Sequence, residues 1–453
     1  MNFLIPLSFL AAGLLLPSIR TYRSFLLASY AIFYALGVSC LVFILKNPDQ
    51  IPSNYPWLWQ NVNLSDTLSV IILAFIFLLF SAFIPCILSS KIGGLLPPTI
   101  ILAFATKEIK PVQARIVFSA LILISLSSYI YLSGGFFNAI SEAWLIRRGL
   151  RAADITFASL KLLLSAIAFN ASAIWLIFAI NSFIDSSTKP ARDFLFQPAQ
   201  LVKLLGSANV LTPMLLSLVS GAVMAGRGNT IQFIEVWIFC IAIKCSKFQW
   251  LFLYNFIHYS LSNAGAVYYR LRSFLVGAEI QYSQSLDVVY EPPARIANEF
   301  VNLSTLFRIN AHSHILWGNE SVNPFRPGEY FTGLVKGYYQ IHEWDSSQPF
   351  SLLDSFLAIF GILGIPLSVL IAAICISIPD QIGRKRRLFK SDGIYVALLY
   401  ISFNSVRPVL VSPGFGSIVL QTVLVPLLLL ITILFCSRQQ ASPKLTTQPR
   451  IQP

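Results

Sequence analysis

Charge is what this chain has least of. Asp, Glu, Lys and Arg make up 11% of its 453 residues, whereas soluble domains carry roughly 25%, so most of it has no surface fit for water. Histidine and methionine are scarce too, at 4 and 3. Its six cysteines, Cys40, Cys86, Cys240, Cys245, Cys375 and Cys436, lie in apolar runs or at their ends, and none falls in the longest polar segment. That distribution offers neither a disulfide framework nor a metal-ligand spacing. Motifs with chemistry of their own are missing as well: no H-E-x-x-H, no G-x-S-x-G, no phosphate-binding Gly-Lys loop and no D-x-D pair for a divalent cation. No metal and no cofactor are expected.

What is present is hydrophobic: 56% of residues, with a mean hydropathy of +0.71. A chain this apolar must satisfy its backbone inside the bilayer as helices or as a closed barrel. Its runs are continuous rather than alternating, which selects an all-α polytopic membrane protein. Windows of about 17–25 apolar residues predict eleven spans, near 2–18, 24–45, 67–90, 115–134, 155–184, 208–225, 230–244, 248–267, 352–378, 393–406 and 415–436. The first lacks a basic leader and a cleavage site, so it reads as a retained helix. "LLPPTIILAFA" (95–105) is too short to cross and holds Pro97 and Pro98, so it reads as interfacial or re-entrant.

Short basic loops orient the bundle. "GRKRRLFK", with Arg384, Lys385, Arg386, Arg387 and Lys390, is the strongest inside signal. Counting from it assigns Arg20 and Arg23, Lys91 to Arg115, Lys189 to Lys203, Lys244 and Lys247, and the tail to the same side. The net charge of +13 is largely consumed by this orientation, so no nucleic acid is implied. Residues 1–453 read as one integral membrane domain, with a large outer loop at 268–351 and a disordered cytoplasmic tail at 437–453. The loop carries six basic side chains against eight acidic ones; at that length it is expected to be partly helical and functional.

Against this topology some cations stand on the wrong side. Arg147 and Arg151, four apart with Arg148 between them, share a helix face and can grip phosphate oxygens with planar forks. An interfacial helix touching lipid headgroups would look the same. Arg227 sits between Gly226 and Gly228 at the junction of two spans, and Arg407 lies in "FNSVRPVLVSPGFG" at another. The loop adds Arg270, Arg272, Arg295 and Arg326. Lys161 and Glu235 each fall roughly two turns inside the outer end of a span, where burying a charge costs about 2.5–3.5 kcal/mol; they can pair with each other, and Lys161 can snorkel. His312 and His314, in "NAHSHILWGNE", are too few for a metal site but remain proton acceptors.

The order of these features resembles the bacterial oligosaccharide repeat-unit polymerases, the Wzy or O-antigen and enterobacterial-common-antigen polymerase family. The residues that carry the resemblance are "MAGRGNTIQF"; then a large outer loop through "VVYEPPARIANEF" and "GNESVNPFRPGEYFTGLVKGYY"; then "AIFGILGIPLSVL", like the family's F-G-x-x-G-I helix start; then a basic loop and the late "NSVRP". "YLSGGFF" before an Arg-bearing segment looks like the family's earlier outer loop. Where the family often has G-G-x-R, this chain has Ala225-Gly226-Arg227.

The resemblance implies a GT-C-type glycosyltransferase of the bacterial inner membrane with a periplasmic active face. Its donor and acceptor would be undecaprenyl-diphosphate-linked oligosaccharides, its surroundings membrane lipids, and it leaves room for a chain-length regulator as partner. Arg227, Arg147, Arg151 and Arg407, with the loop arginines, would hold the departing diphosphate. Glu329, His312, His314 or Glu235 would accept the proton of the attacking hydroxyl. An O-antigen ligase shares the loop and the arginines. A flippase or transporter is the reading from another class, although the paired repeats common in transporters are not evident.

Overall fold

The computed structural model describes residues 21–26, 79–95, 99–140, 157–187, 198–224, 231–253, 352–411 and 419–439, with single positions at Asn229, at 72, 75 and 76, and between 28 and 39. These residues are overwhelmingly helical. After a π-helical turn Leu79–Phe83, helix α1 spans Ile84–Leu95 and α2 spans Thr99–Ala105. α3 (Pro111–Leu132) and α4 (Ala158–Asp185) are long, with α5 (Pro198–Leu205), α6 (Ala208–Val223) and α7 (Gln232–Lys244) following. The C-terminal part holds α8 (Leu352–Phe360), α9 (Gly364–Arg384), α10 (Asp392–Val411) and α11 (Val425–Cys436).

Local chemistry sets several of these ends. Pro111 opens α3, where its missing N–H costs no helical bond. The helix stops at Gly134 and Gly135, whose φ values of 73° and 126° suit residues without a Cβ. α5 and α6 are bent by 73° where they meet. α2, with 7 residues, is about 10 Å long and cannot cross hydrocarbon of about 30 Å, as expected of 95–105.

Among the described residues, three helical runs are long and apolar enough to cross a membrane by length and composition, Pro111–Leu132, Leu160–Asp185 and Leu352–Arg384, the last of them broken within its length, and a fourth does so if α5 and α6 count as one bent span. The chain is thus a helical membrane protein. Expected span 2–18, most of 24–45 and of 248–267, and the start of 67–90 lie outside the described residues. α4 is the central element, packed by α3, α6, α7, α10 and α11, with Ala168, Ala171, Ile174, Leu176 and Ile177 fully buried. Outward-facing Ile116, Ile124, Leu427 and Phe435 are exposed, as suits contact with lipid.

The expected span 352–378 is not one rod. Gly361 has φ +60°, and a Cβ added to Gly364 would meet the Phe356 carbonyl oxygen at 2.0 Å. Eight residues apart on a straight helix they would be about 12 Å distant, so the chain doubles back between α8 and α9. The break is the F-G-x-x-G-I segment, Phe360 to Ile365. Every residue from Leu352 to Ile359 is buried, Asp354 among them.

One end of the bundle gathers the loops that the charge rule assigned to a single side. Lys244 Nζ bonds Asp185 and lies 3.6 Å from Asp392. Arg386 donates to the Ile243 carbonyl at 3.1 Å and to Ser246 Oγ at 2.7 Å, and stacks 5.6 Å over the Tyr395 ring. The Lys390 amide donates to the Ala105 carbonyl and the Lys110 amide to that of Cys436, each at 3.0 Å. Beside them a two-stranded antiparallel ribbon pairs β1 (Lys107–Ile109) with β2 (Ser437–Gln439). The ribbon corrects the purely helical expectation and takes the first three residues of the supposedly disordered tail; the tail beyond them lies outside the described residues.

Candidate functional site

α4 and α7 run parallel in a fixed register. Three contacts establish it: Ser172 Oγ donates to Gln232 Oε1 at 2.8 Å, Asn181 Nδ2 to Cys240 Sγ at 3.6 Å, and Lys244 binds Asp185. Their sequence offsets are 60, 59 and 59 residues, which only parallel helices can maintain. Depth from the basic end follows from the rise of 1.5 Å per residue: Glu235 lies about 14 Å in, Gln232 about 18 Å and Lys161 about 36 Å.

That register corrects the expected pairing of Lys161 with Glu235, because about 22 Å of helix separates their levels. Glu235 lies at mid-depth, in a helix α7 of 13 residues against the 28 of α4. Snorkelling of Lys161 is overturned too: its side chain is 1% exposed, and that of Glu235 2%. Both are held inside the protein.

At the level of Gln232 the structure contains a polar bracket. Gln232 Oε1 accepts hydrogen bonds from Ser172 on α4 and from Ser217 on α6, while its Nε2 donates to the Phe169 carbonyl at 2.7 Å. Asn229 Nδ2 donates to Ser217 Oγ at 3.1 Å. All four side chains are buried. A buried amide with no partner costs about 1–3 kcal/mol, so this set is stable only while its members stay together. It ties Ser217, before the Gly226-Arg227-Gly228 segment, to Asn229 and Gln232 after it.

α10 packs antiparallel beside α7, with Asp392 near Lys244 and the Tyr400 ring 5.3 Å from that of Phe239. Continuing that register brings position 407 level with the first turn of α7. Arg407 therefore does not sit at a junction, as expected from sequence; α10 continues through it to Val411. Two buried polar atoms near this level, Ser220 Oγ and Asn404 Nδ2, have no hydrogen-bond partner, a rare condition in protein interiors.

The other predicted site residues, Arg147, Arg151, Arg227, Arg270, Arg272, Arg295, Arg326, Glu329, His312 and His314, lie outside the described residues. Sequence reasoning missed the bracket, whose signal was polar residues inside apolar runs: "FNASAIW", "LSLVSG" and "NTIQF". It also missed Asp354, 0% exposed in the first turn of α8, although an acid within "SLLDSFLAIF" is a functional candidate by the same intramembrane argument as Glu235. No family model matches the chain, and comparisons with curated proteins and with solved structures likewise gave no match.

Proposed function

We propose that this protein is a GT-C-type glycosyltransferase of eleven spans that polymerises polyprenyl-diphosphate-linked oligosaccharide repeat units at the periplasmic face of the bacterial inner membrane. The observation that carries the reading is the buried bracket that joins Ser217, before the Gly226-Arg227-Gly228 segment in sequence, to Asn229 and Gln232 after it, with position 407 at the level of Gln232 and two unsatisfied polar atoms nearby. Polar side chains gathered inside an apolar bundle suit a charged headgroup better than lipid. The resemblance of the sequence to the polymerases supplies the reaction, and the segment that resembles the F-G-x-x-G-I motif has a backbone need for both glycines.

In this reading the leaving group is a polyprenyl diphosphate of about two to three negative charges. Arg227 and Arg407, joined by Arg147, Arg151 and the loop arginines, stabilise the charge that develops as the bond from sugar C1 to the diphosphate oxygen breaks. An acid or histidine, Glu329, His312, His314 or Glu235, takes the proton of the attacking hydroxyl. Inversion at C1 follows from a single displacement.

The test is complementation of a polymerase-deficient strain with Arg227→Ala, read as a polysaccharide ladder. Ladders collapse to a single repeat while the protein still inserts. Arg227→Lys restores them partly, since a point charge does not replace a planar fork. Full-length polymer stranded on the lipid carrier after loss of the gene would identify a ligase instead. Movement of labelled lipid-linked sugar across liposomes without chain growth would identify a transporter.

A further inference from the structure

We infer that the basic end of the bundle holds an anionic phospholipid, at a patch formed by Lys107, Lys110, Arg387, Leu388 and Lys390. The charges at this end do not balance. Its described acids are Glu108, Asp185, Asp380 and Asp392, and each already faces a cation: Arg438 for Glu108, Lys244 for Asp185, Arg384 for Asp380, and both Lys244 and Arg386 for Asp392. Among the described residues no carboxylate is left for the side chains of Lys107, Lys110, Arg387 or Lys390.

Backbone bonds bring these cations into one neighbourhood. The Lys390 amide donates to the Ala105 carbonyl at 3.0 Å, and Lys107 stands two residues beyond that carbonyl, at most about 7 Å along the chain. Lys110 follows the end of β1, where its own amide is tied to the Cys436 carbonyl. The pleat puts Lys107 on the face of the ribbon opposite the Glu108–Arg438 pair, so that pair does not neutralise it. In the loop after α9, Arg386 is turned inward onto Ile243, Ser246 and Tyr395. Arg387 and Lys390 are exposed instead.

What lies among the cations identifies the partner. Leu388, between Arg387 and Lys390, is 47% exposed while the adjacent Phe389 is buried, and Val112, two residues from Lys110, is exposed as well. A soluble anion makes no use of these side chains. A phospholipid uses both kinds, its phosphate meeting guanidinium and ammonium groups and its acyl chains meeting leucine and valine. Orienting a chain in the bilayer requires cations in a loop, but it requires neither an exposed leucine between them nor a loop pinned to a neighbouring helix.

The experiment strips the full-length protein of lipid in detergent and titrates it with phosphatidylglycerol, phosphatidylcholine or inorganic phosphate, read by native mass spectrometry and by thermal unfolding. Each cation near an anionic lipid surface contributes about fivefold, so phosphatidylglycerol should bind about a hundredfold more tightly than phosphatidylcholine. It should also raise the thermal midpoint by several degrees, less so as salt is raised. Inorganic phosphate should leave the midpoint where it was. Changing Lys107→Gln, Arg387→Gln and Lys390→Gln together should abolish the preference, with phosphatidylcholine bound as before.

Leu388→Ser keeps every charge that orients the chain, so it inserts normally, and it should weaken phosphatidylglycerol binding several-fold. Should the triple variant fail to insert, Leu388→Ser and Lys390→Gln alone carry the test, the latter with a loss of about fivefold. Equal affinity of the unaltered protein for the two lipids would overturn the inference, as would an undiminished preference in the triple variant or in Leu388→Ser. A midpoint rise of the same size with inorganic phosphate would overturn it in favour of a soluble anion. None of these outcomes depends on which reaction the protein catalyses.

Discussion

Gly364 and the Phe356 carbonyl oxygen are so close that a Cβ on the glycine would lie 2.0 Å from that oxygen. Backbone lies on both sides of the contact, so no side chain can yield. Gly364→Ala is therefore expected to force α8 away from α9 and lower the thermal midpoint in detergent by many degrees, or to prevent accumulation altogether. Gly383, on the same helix α9, has open space around its Cα. There alanine should stabilise by about 0.5–1 kcal/mol, through helix propensity. Equal effects at the two positions, measured by thermal unfolding of the purified variants, would contradict the fold-back.

Lys161 and Glu235 give a second test. Their levels differ by about 22 Å along parallel helices, so each is held by surroundings of its own. Lys161→Met and Glu235→Gln should each reduce stability or yield, and the double variant should show the sum of the two losses within about 0.5 kcal/mol. The charge reversal Lys161→Glu with Glu235→Lys should rescue nothing. Recovery in the reversed pair would mean that the two side chains meet.

The contrast between these two charges also shows how much of the molecule was legible in the sequence. Apolar runs gave α3, α4, α6 and α7 nearly to their ends, and α10 all but its last turn, because hydrocarbon leaves the backbone no other choice. Basic residues gave the common end, where Lys244, Arg386 and Lys390 meet Asp185, Ser246 and Ala105. What hydropathy does not encode is relative depth. It put Lys161 and Glu235 at the same depth, roughly two turns inside a span, whereas the Asp185–Lys244 contact fixes a register that sets their levels about 22 Å apart. The bracket was hidden for a related reason: Ser172, Ser217 and the pair Asn229 and Gln232 come from three separate runs, and only packing reveals that Gln232 joins the two serines while Asn229 bonds Ser217. At the α8–α9 break the glycines were visible, but a motif in sequence does not state that a chain reverses.

At the basic end, Lys244 has a side chain 6% exposed between two carboxylates that are much more open, Asp185 at 56% and Asp392 at 40%. Screening at the exposed partners keeps the pairing weak, so Lys244→Met should cost only about 1 kcal/mol. The loss should shrink as salt is raised. Denaturation curves at low and high ionic strength check this; a loss of the same size in both would assign the effect to packing of the lysine stem.

The β ribbon predicts where the C-terminal tail begins to matter. β2 offers its backbone to Lys107–Ile109, and Arg438 lies 3.9 Å from Glu108 across it. Truncation after Gln439 keeps every one of these bonds and should leave the thermal midpoint unchanged. Truncation after Cys436 removes the partner strand while sparing the Lys110 amide bond to the Cys436 carbonyl. The freed strand exposes Lys107 and its neighbours to protease, so limited trypsin digestion should cut after Lys107 several-fold faster in the shorter protein. The cut would separate α2 from α3 at the end where the basic loops and the C-terminal strand are tied together. Equal digestion rates in the two truncations would show that the ribbon does not protect that junction.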